Sequence, residues 1–245
     1  MTIQDLAVFD FDWSLIEADS DATVFKHFCP DKWALLSTSS ERMQWTDFVD
    51  QSLCEMQDRG ITKHEIEKIL ETIQMVPSAV QLLKSLQESN TRVLILSDAN
   101  TFFIDIILRA HGLRDHIADI ITNPAYTDDQ GRLRVKRRIL VTDPQHNCPN
   151  TCTVNICKGQ ELDQYTSKYG PFRRVMYVGD GMNDYCPGLR LKSSDSYFVR
   201  NGKALERALL SKPEMANRVL APVTYWKDHS IIVESVSKPT VIPSL

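Results

Sequence analysis

Short, mostly apolar runs alternate along this chain with longer stretches in which apolar residues recur at helical spacing. The runs share the length of a buried strand and cover 6–9, 92–96, 117–122, 174–178 and 197–199. Helical spacing occupies much of the intervening sequence, namely 79–89, 102–111, 161–168 and the stretch that begins at Ala204. Strands that alternate with helices predict an α/β protein whose core is a doubly wound parallel sheet.

The stretch from 21 to 74 has helical character and shows no strand-like alternation. A break that contains glycine precedes Thr62, and Thr62 followed by Glu65 fits a capping box, which begins a new helix. We therefore predict a small helical insert after the first strand. The predicted units are a core of residues 1–15 and 77–245 and an insert of residues 16–76.

The segments outside these strands and helices are predicted to be turns, loops or a hairpin. A turn is expected at 128–131, a basic hairpin at 132–141, and irregular chain at 142–150. The strand at 197–199 is expected to be the last one. The tail from Ala221 to Leu245 carries no pattern that indicates a role.

The composition is that of a soluble protein with a sizeable core, with 42% hydrophobic and 24% charged residues. The net charge of −4 gives no electrostatic reason to expect nucleic acid as a partner. No apolar run approaches the roughly 20 residues of a membrane helix, and no signal-peptide pattern is present at the N-terminus. We expect a cytoplasmic protein with no membrane partner, whose six cysteines are thiols. The oligomeric state is not indicated.

Polar side chains follow three of the predicted strands at their carboxyl ends. They are Asp10 and Asp12 after the first strand, Ser97 and Asp98 after the second, and Asp180 and Asp184 after the fourth. Because these ends border the ligand site of a doubly wound sheet, we expect the side chains to converge. Each motif alone also fits an acidic turn or a helix cap. Together they predict an oxygen-rich, negative pocket that suits Mg²⁺.

A phosphate bound beside such acids also needs positive charge and hydrogen-bond donors. Ser97 offers a hydroxyl group at a strand-to-helix junction, and Lys158 lies between the third and fourth strands. A single lysine is usually a solvated surface residue, so the assignment of Lys158 depends on the neighbouring motifs.

Four motifs resemble, in order and approximate spacing, those of the haloacid dehalogenase superfamily: DFDWS, SDAN, the lysine of NICKG, and GDGMND. The sequence from Val8 to about Leu210 is similar, more closely, to the phosphoethanolamine/phosphocholine phosphatase family. That family also includes phosphatases of pyridoxal 5′-phosphate and thiamine monophosphate. The resemblance implies a Rossmann-like core, on which the helical insert forms a cap.

The resemblance also implies a Mg²⁺-dependent phosphatase that acts on a small phosphorylated metabolite. Asp10 would be the nucleophile that becomes an aspartyl phosphate, and Asp12 the general acid and base. Mg²⁺ would be held by Asp10, by the backbone carbonyl of Asp12 and by Asp180. Asp184 would support the metal from nearby. Ser14 stands where threonine is commoner in the family and keeps the hydroxyl group.

Phosphate binding and substrate choice follow from the same resemblance. Ser97, Asp98 and Lys158 would border the phosphate. Asp21 and Asp98 match acidic residues near the amine end of phosphoethanolamine or phosphocholine, the predicted substrates. Trp33 or Trp45 could add a cation–π contact. A helix-capping role for Asp21 and a core role for either tryptophan stay open, as do pyridoxal 5′-phosphate and thiamine monophosphate as substrates.

Four possible soft metal ligands precede or adjoin the lysine motif: His146, Cys148, Cys152 and Cys157. Their spacing lacks the usual C-x₂-C pair of a zinc site, so we expect a loop of buried thiols, with zinc as the alternative. Cys186 is expected to serve packing. From another functional class, a zinc-loop protein or an acidic-pocket binding module without turnover would also fit single motifs.

Overall fold

A parallel sheet of six strands lies at the centre of the structure, a computed structural model that describes residues 3–36, 43–150 and 152–237. The strands are β1 (Leu6–Phe9), β2 (Arg92–Asn100), β3 (Asp119–Asn123), β4 (Ala125–Thr127), β5 (Leu133–Val135), β6 (Val175–Gly179), β7 (Ser196–Arg200) and β8 (Val223–Trp226). The order across the main sheet is β3-β2-β1-β6-β7-β8, and β4 pairs with β5 in a separate antiparallel hairpin. The predicted parallel sheet is therefore confirmed.

Helices flank this sheet and fill the long connections between its strands. They are α1 (Ser20–Phe28), α2 (Pro30–Leu36), α3 (Trp45–Asp58), α4 (Lys63–Glu71), α5 (Pro77–Glu88), α6 (Thr101–Ala110), α7 (Lys158–Tyr169), α8 (Tyr185–Gly188), α9 (Ala204–Ser211), α10 (Pro213–Ala216) and α11 (Ser230–Ser237). None of the helices in the described ranges has the length and apolar character needed to cross a membrane.

Strand β1 is continuously apolar because both of its faces are covered. It pairs in parallel with β2 on one side and β6 on the other. Ala7 and Phe9 belong to one apolar cluster, and Leu6 and Val8 belong to the cluster on the opposite face. This central position places the residue that follows Phe9 between the carboxyl ends of two neighbouring strands.

The helical insert predicted after β1 contains α1 to α4, and no strand occurs in its described ranges, 16–36 and 43–76. Residues 37–42, which fell within the predicted helical stretch, lie outside the described residues. The capping box is confirmed: Glu65 N donates to Thr62 Oγ1 at 3.2 Å, and Thr62 N donates to Glu65 Oε2 at 2.7 Å.

The predicted basic hairpin at 132–141 is wrong in its bounds. The hairpin is formed by β4 and β5 across the 128–131 turn, where Asp128 Oδ1 accepts from the backbone N–H groups of Gln130 and Arg132. Several of the basic residues that suggested a longer hairpin form ion pairs with the insert instead, whereas Arg138 pairs with Glu161 of α7. Arg134 is bidentate to Asp50 of α3, at 2.8 and 2.5 Å, and Arg137 pairs with Asp47.

The expectation that 197–199 forms the last strand is also wrong. β8 adds a parallel strand beyond β7, and α11 follows it. β8 has only four residues and lies at the sheet edge, where one side is unpaired and no continuous apolar run is required. The tail from Ala221 thus completes the sheet as far as Ser237; residues 238–245 lie outside the described residues.

Candidate active site

The carboxyl ends of the central strands border a cavity of about 270 Å³. Its lining is mostly acidic and aromatic and consists of Asp10, Asp12, Trp13, Asp19, Asp21, Trp45, Asp98, Ala99, Asp180 and Asn183. A larger cavity, of about 350 Å³, lies at the amino end of β6 beside Arg173 and Asp195. We place the candidate site in the smaller cavity, because carboxylates from three strand ends converge only there among these two cavities.

A buried lysine joins two of the predicted carboxylates. Lys158, at the start of α7 and only 1% exposed, places Nζ 2.8 Å from Asp10 Oδ1 and 2.8 Å from Asp184 Oδ1. Burial alone would lower the pKa of Lys158, but Asp10 and then Asp184 raise it above its ordinary value. The ammonium group is therefore charged and stands as a fixed cation beside Asp10.

Asp184 is fully buried and saturated with hydrogen bonds. Its Oδ1 accepts from Lys158 and from the hydroxyl of Tyr177, each at 2.8 Å, and its Oδ2 accepts from the N–H groups of Asp180 and Gly181, at 3.0 and 2.9 Å. Gly179 leaves room for this carboxylate, since a Cβ there would come within 2.5 Å of Asp184 Cγ. Asp184 thus orients the lysine and the loop that carries Asp180.

Three carboxylates fit a divalent cation. Oxygen atoms of Asp10, Asp180 and Asp184 lie within 4.8 Å of one another. Burial and then the charge of Asp184 raise the pKa of Asp180 to about 7 and hold that of Asp10 well above its ordinary value; Lys158 opposes both shifts. Such shifts indicate that the three carboxylates have too little positive charge around them. Clustered carboxylate oxygens are also the ligands that Mg²⁺ prefers.

Asp12 lies at the base of the insert rather than beside the lysine. Its two oxygens accept from the backbone N–H and the hydroxyl of Ser20, at 3.1 and 3.0 Å. Burial, followed by the charges of Asp19 and Asp21, raises the pKa of Asp12 well above its ordinary value. The raised pKa favours the protonated form of Asp12, which is the form that a general acid needs.

Ser97 and Asp98 lie in the second half of β2, and Asp98 lines the same cavity as Asp12. Ser97 is fully buried, and its Oγ accepts from Ala99 N at 3.2 Å. Asp98 lines the cavity, and its Oδ2 accepts from Asn183 Nδ2 at 2.9 Å. This bond connects the end of β2 with the loop that follows β6.

The insert contributes Asp21 and Trp45 to the opposite wall. Trp45 Nε1 donates to Asp21 Oδ2 at 2.7 Å, whereas Asp21 Oδ1 is buried without a hydrogen-bond partner among the described residues. Burial and then the charge of Asp19 raise the pKa of Asp21 to about 8; the Trp45 hydrogen bond opposes the rise. Trp33 packs edge-on against Trp45, with ring centroids 6.1 Å apart, and does not line the cavity.

Sequence reasoning gave no site role to Asp19 or Lys203 and left Trp13 unassigned. Asp19 caps α1, with its Oδ1 accepting from Ala22 N at 2.7 Å, and also lines the cavity. Lys203 Nζ lies 3.5 Å from the centroid of the Trp13 ring and 3.9 Å from Asp180 Oδ2. Lys203 follows β7, so the strand-end argument applied to that loop would have found it.

The sequence grouped His146 with three cysteines as possible metal ligands, but the structure gives its two ring nitrogens other partners. Its Nε2 lies 2.9 Å from the Thr153 carbonyl oxygen, and its Nδ1 accepts from Cys148 N at 3.0 Å. The fourth member of the group is Cys186, which comes from α8. Sequence spacing could not reveal this contact, because Cys186 lies 29 positions after Cys157.

The Putative Phosphatase family matches residues 5–238 of this chain. Inorganic pyrophosphatase 1 from Arabidopsis thaliana is 32% identical over 223 residues, which cover 89% of this chain and 74% of the relative. A pyridoxal phosphate phosphatase from Mus musculus is 31% identical, covering 90% of this chain and 92% of the relative. A thiamine phosphate phosphatase-like protein from Arabidopsis thaliana is also 31% identical, covering 95% and 96%.

Solved structures show the same fold at low sequence identity. A haloacid dehalogenase family hydrolase from Salmonella enterica serovar Typhi matches with a TM-score of 0.63 and 11% identity, over 96% of this chain and 72% of that chain. A substrate-bound phosphoserine phosphatase matches with a TM-score of 0.60 and 13% identity, over 96% of this chain and 99% of that chain. At this identity the likeness concerns the fold alone.

Proposed function

Because this chain belongs to the Putative Phosphatase family and is a phosphatase of the haloacid dehalogenase superfamily, we propose that it hydrolyses a small phosphate monoester through a phosphorylated Asp10. The predicted enzyme class agrees with this membership, and a binding module without turnover is not supported. One observation carries the mechanistic proposal. The buried ammonium group of Lys158 lies 2.8 Å from Asp10, and Asp10 lines an acidic cavity together with Asp12.

In the proposed first step, a carboxylate oxygen of Asp10 attacks the phosphorus atom, and the bond between phosphorus and the ester oxygen breaks. Lys158 lowers the pKa of Asp10 against the effect of burial, which favours the carboxylate form that attacks, and its charge offsets charge on the phosphate. The leaving oxygen takes a proton from Asp12, whose raised pKa keeps that proton available. In the second step, Asp12 takes a proton from water, and the water oxygen attacks phosphorus and releases Asp10 and phosphate.

Asp10, Asp180 and the backbone carbonyl of Asp12 would hold Mg²⁺, and Asp184 would support them from nearby. The bound cation supplies positive charge to the phosphate oxygens during transfer. Asp184 serves this arrangement by orienting its neighbours, because both of its oxygens already accept two hydrogen bonds each. Ser97, Asp98 and Lys158 would border the phosphate from the β2 and α7 sides.

We assign the insert, residues 16–76, the role of a cap. Its helices α1 and α3 bring Asp21 and Trp45 to the cavity wall. The hairpin docks on the same insert, since Gln57 of α3 exchanges hydrogen bonds of 2.9 and 2.7 Å with the backbone of Leu133. The hairpin, placed with the core by sequence, would accordingly move with the cap.

The acidic wall favours a leaving group that carries a positive charge. Asp21 has an unpaired buried oxygen, and Asp19 and Asp98 lie in the same cavity. An ammonium group would pair with these carboxylates, and Trp13 or Trp45 offers an aromatic face. Phosphoethanolamine and phosphocholine are small phosphate esters whose leaving groups carry such a positive charge. Relatives named for pyridoxal phosphate and thiamine phosphate favour those esters as the alternative substrates.

A substrate panel tests this function. It compares phosphoethanolamine, phosphocholine, pyridoxal 5′-phosphate, thiamine monophosphate and pyrophosphate by phosphate release, with Mg²⁺ and after chelation. We expect hydrolysis that requires Mg²⁺ and is restored by Mg²⁺ alone, because the carboxylate cluster lacks sufficient positive charge without it. Esters with cationic leaving groups should exceed pyrophosphate in kcat/KM. Hydrolysis that persists in chelator, or a preference for pyrophosphate, would contradict the proposal.

The pH dependence of substrate choice tests the role of Asp21. Its pKa of about 8 means that a cationic leaving group must displace a proton at lower pH. The ratio of kcat/KM for phosphoethanolamine to that for ethyl phosphate should therefore rise about tenfold per pH unit and level off above pH 8. In Asp21→Asn the ratio should stay low and flat. An unchanged ratio in this variant would show that Asp21 serves only as the hydrogen-bond acceptor of Trp45, since Asp19 caps the helix.

A further inference from the structure

We propose that Cys148, Cys152, Cys157 and Cys186 form a closed structural zinc site, separate from the acidic cavity. All four Sγ atoms lie within 4.8 Å of one another, although Cys186 is distant in sequence from the other three. Four thiolates are a common ligand set of structural zinc sites, and soft sulfur ligands select zinc over magnesium.

Three of the six sulfur–sulfur distances match the edges of a tetrahedron around one zinc ion, and the other three are no longer than 4.8 Å. Cys148 Sγ lies 3.6 Å from Cys186 Sγ, Cys152 Sγ lies 3.6 Å from Cys157 Sγ, and Cys157 Sγ lies 3.7 Å from Cys186 Sγ. A zinc–sulfur bond of about 2.3 Å gives tetrahedral sulfur–sulfur edges of about 3.8 Å. These three edges agree with this value to within about 0.2 Å, the tolerance for a plausible site.

Two other uses of four cysteines fit these distances less well. A disulfide would require sulfur atoms about 2.05 Å apart, and the cysteines are free. In an iron–sulfur cluster the cysteines bind different iron atoms, which separates their sulfurs beyond the edges of a single-ion tetrahedron. The compact group therefore favours one metal ion.

The surroundings complete the site. Cys157 and Cys186 are buried, and Cys148 and Cys152 are partly buried, so the protein encloses most of the group. Asn150 Nδ2 lies 3.6 Å from Cys148 Sγ and 3.5 Å from Cys186 Sγ and donates to both. Donors of this kind stabilise negative charge on ligating sulfur and hold it in place.

The site fastens two segments of the proposed catalytic machinery. Cys157 directly precedes Lys158, and Cys186 follows Asp184 by two residues. The two segments touch closely at Gly159, where a Cβ would lie 2.6 Å from Cys186 Sγ. Zinc would therefore fix the start of α7 against the loop after β6 and hold the Lys158–Asp184 pair in register. Only this positioning effect rests on the proposed function; zinc binding does not.

Metal analysis of the purified wild-type protein is the primary test. We expect about one zinc ion per chain, because a closed four-thiolate site binds zinc tightly. Replacement by Co²⁺ should give the intense visible and near-ultraviolet bands of tetrahedral cobalt thiolate. A zinc-selective chelator should lower Tm, and added Zn²⁺, but not Mg²⁺, should restore it. Absence of zinc, iron in its place, or disulfides among these four cysteines would overturn the assignment.

Matched variants locate the site. Cys148→Ser and Cys186→Ser should each reduce the zinc content severalfold and lower Tm. Cys54→Ser is the control, since Cys54 lies on α3 outside the group, and this variant should retain zinc and Tm. Full zinc in both site variants would contradict the proposal. The wild-type metal content stays decisive where a variant fails to fold, and zinc without phosphatase activity would contradict the proposed function but not this site.

Discussion

Asp10→Asn is expected to lower kcat by about 10⁴-fold or more for every substrate of the panel. The amide has no negative charge with which to attack phosphorus, and no other step in the proposed reaction replaces the covalent intermediate. The loss should fall on kcat rather than on substrate affinity. Cap, phosphate-binding residues and Lys158 all remain in the variant. Steady-state phosphate release together with direct binding of phosphoethanolamine measures both quantities.

The same substitution should leave the fold intact. An amide oxygen can still accept from Phe11 N, which lies 2.8 Å from Asp10 Oδ1, and from Lys158. Asp10→Asn also removes a buried carboxyl group, whose pKa is raised by burial and by Asp184. The raised pKa means that the ionised form of this group is unfavourable where it lies. Tm should therefore be close to that of the wild type. Retained activity in a folded variant would remove Asp10 from the role of nucleophile.

Lys158→Met is expected to have the largest effect on stability. Removal of the ammonium group leaves the buried carboxylates of Asp10 and Asp184 without their shared cation. Breaking a buried ion pair from one side costs about 3 to 5 kcal/mol of unfolding free energy. Loss of a fixed charge at the phosphate should also reduce kcat/KM by roughly 10² to 10³-fold. Denaturant unfolding and steady-state kinetics measure the two effects.

The stability deficit of Lys158→Met should shrink as the pH falls. Without the lysine, the pKa of Asp10 in the folded state rises further above its value in the unfolded chain. The folded state then binds more protons, so stability is gained as the pH falls through that folded-state pKa. Lys168→Met is the matched control, since this exposed lysine lies in the same helix and should change stability little. Equal losses of unfolding free energy in Lys158→Met and Lys168→Met would contradict the role of the buried ion pair.

Central strands were predictable from sequence because burial on both faces requires an unbroken apolar run. β1 and β2 meet this requirement, and the structure places both inside the sheet. β8 and the hairpin lack an unbroken apolar run, because an edge strand and a hairpin with only one covered side tolerate polar residues. Their positions depend on tertiary contacts such as the bond of 2.9 Å between Val135 N and Asp50 Oδ1.

The candidate site also contains residues that could be predicted from the sequence and residues that could not. Asp10, Asp98 and Asp180 could be predicted because each follows an apolar run: Asp10 and Asp180 come directly after β1 and β6, and Asp98 lies near the carboxyl end of β2. The hydroxyl of Tyr177 could not, because that residue lies inside β6 and has the appearance of a core aromatic. Cys186 could not, because only the fold brings α8 to the loop before Lys158. Contacts between distant segments leave no periodic signal in a sequence.

Detection of a phosphoryl group on Asp10 tests the central claim most directly. p-Nitrophenyl phosphate is suitable because its leaving group needs little protonation, and Asp12→Asn should slow release of the phosphoryl group from Asp10. Acid-quenched Asp12→Asn should carry one phosphoryl group on the peptide that contains Asp10, as seen by mass spectrometry. Asp10→Asn should carry none. Turnover of p-nitrophenyl phosphate without any phosphorylated Asp10 in quenched Asp12→Asn would contradict the account.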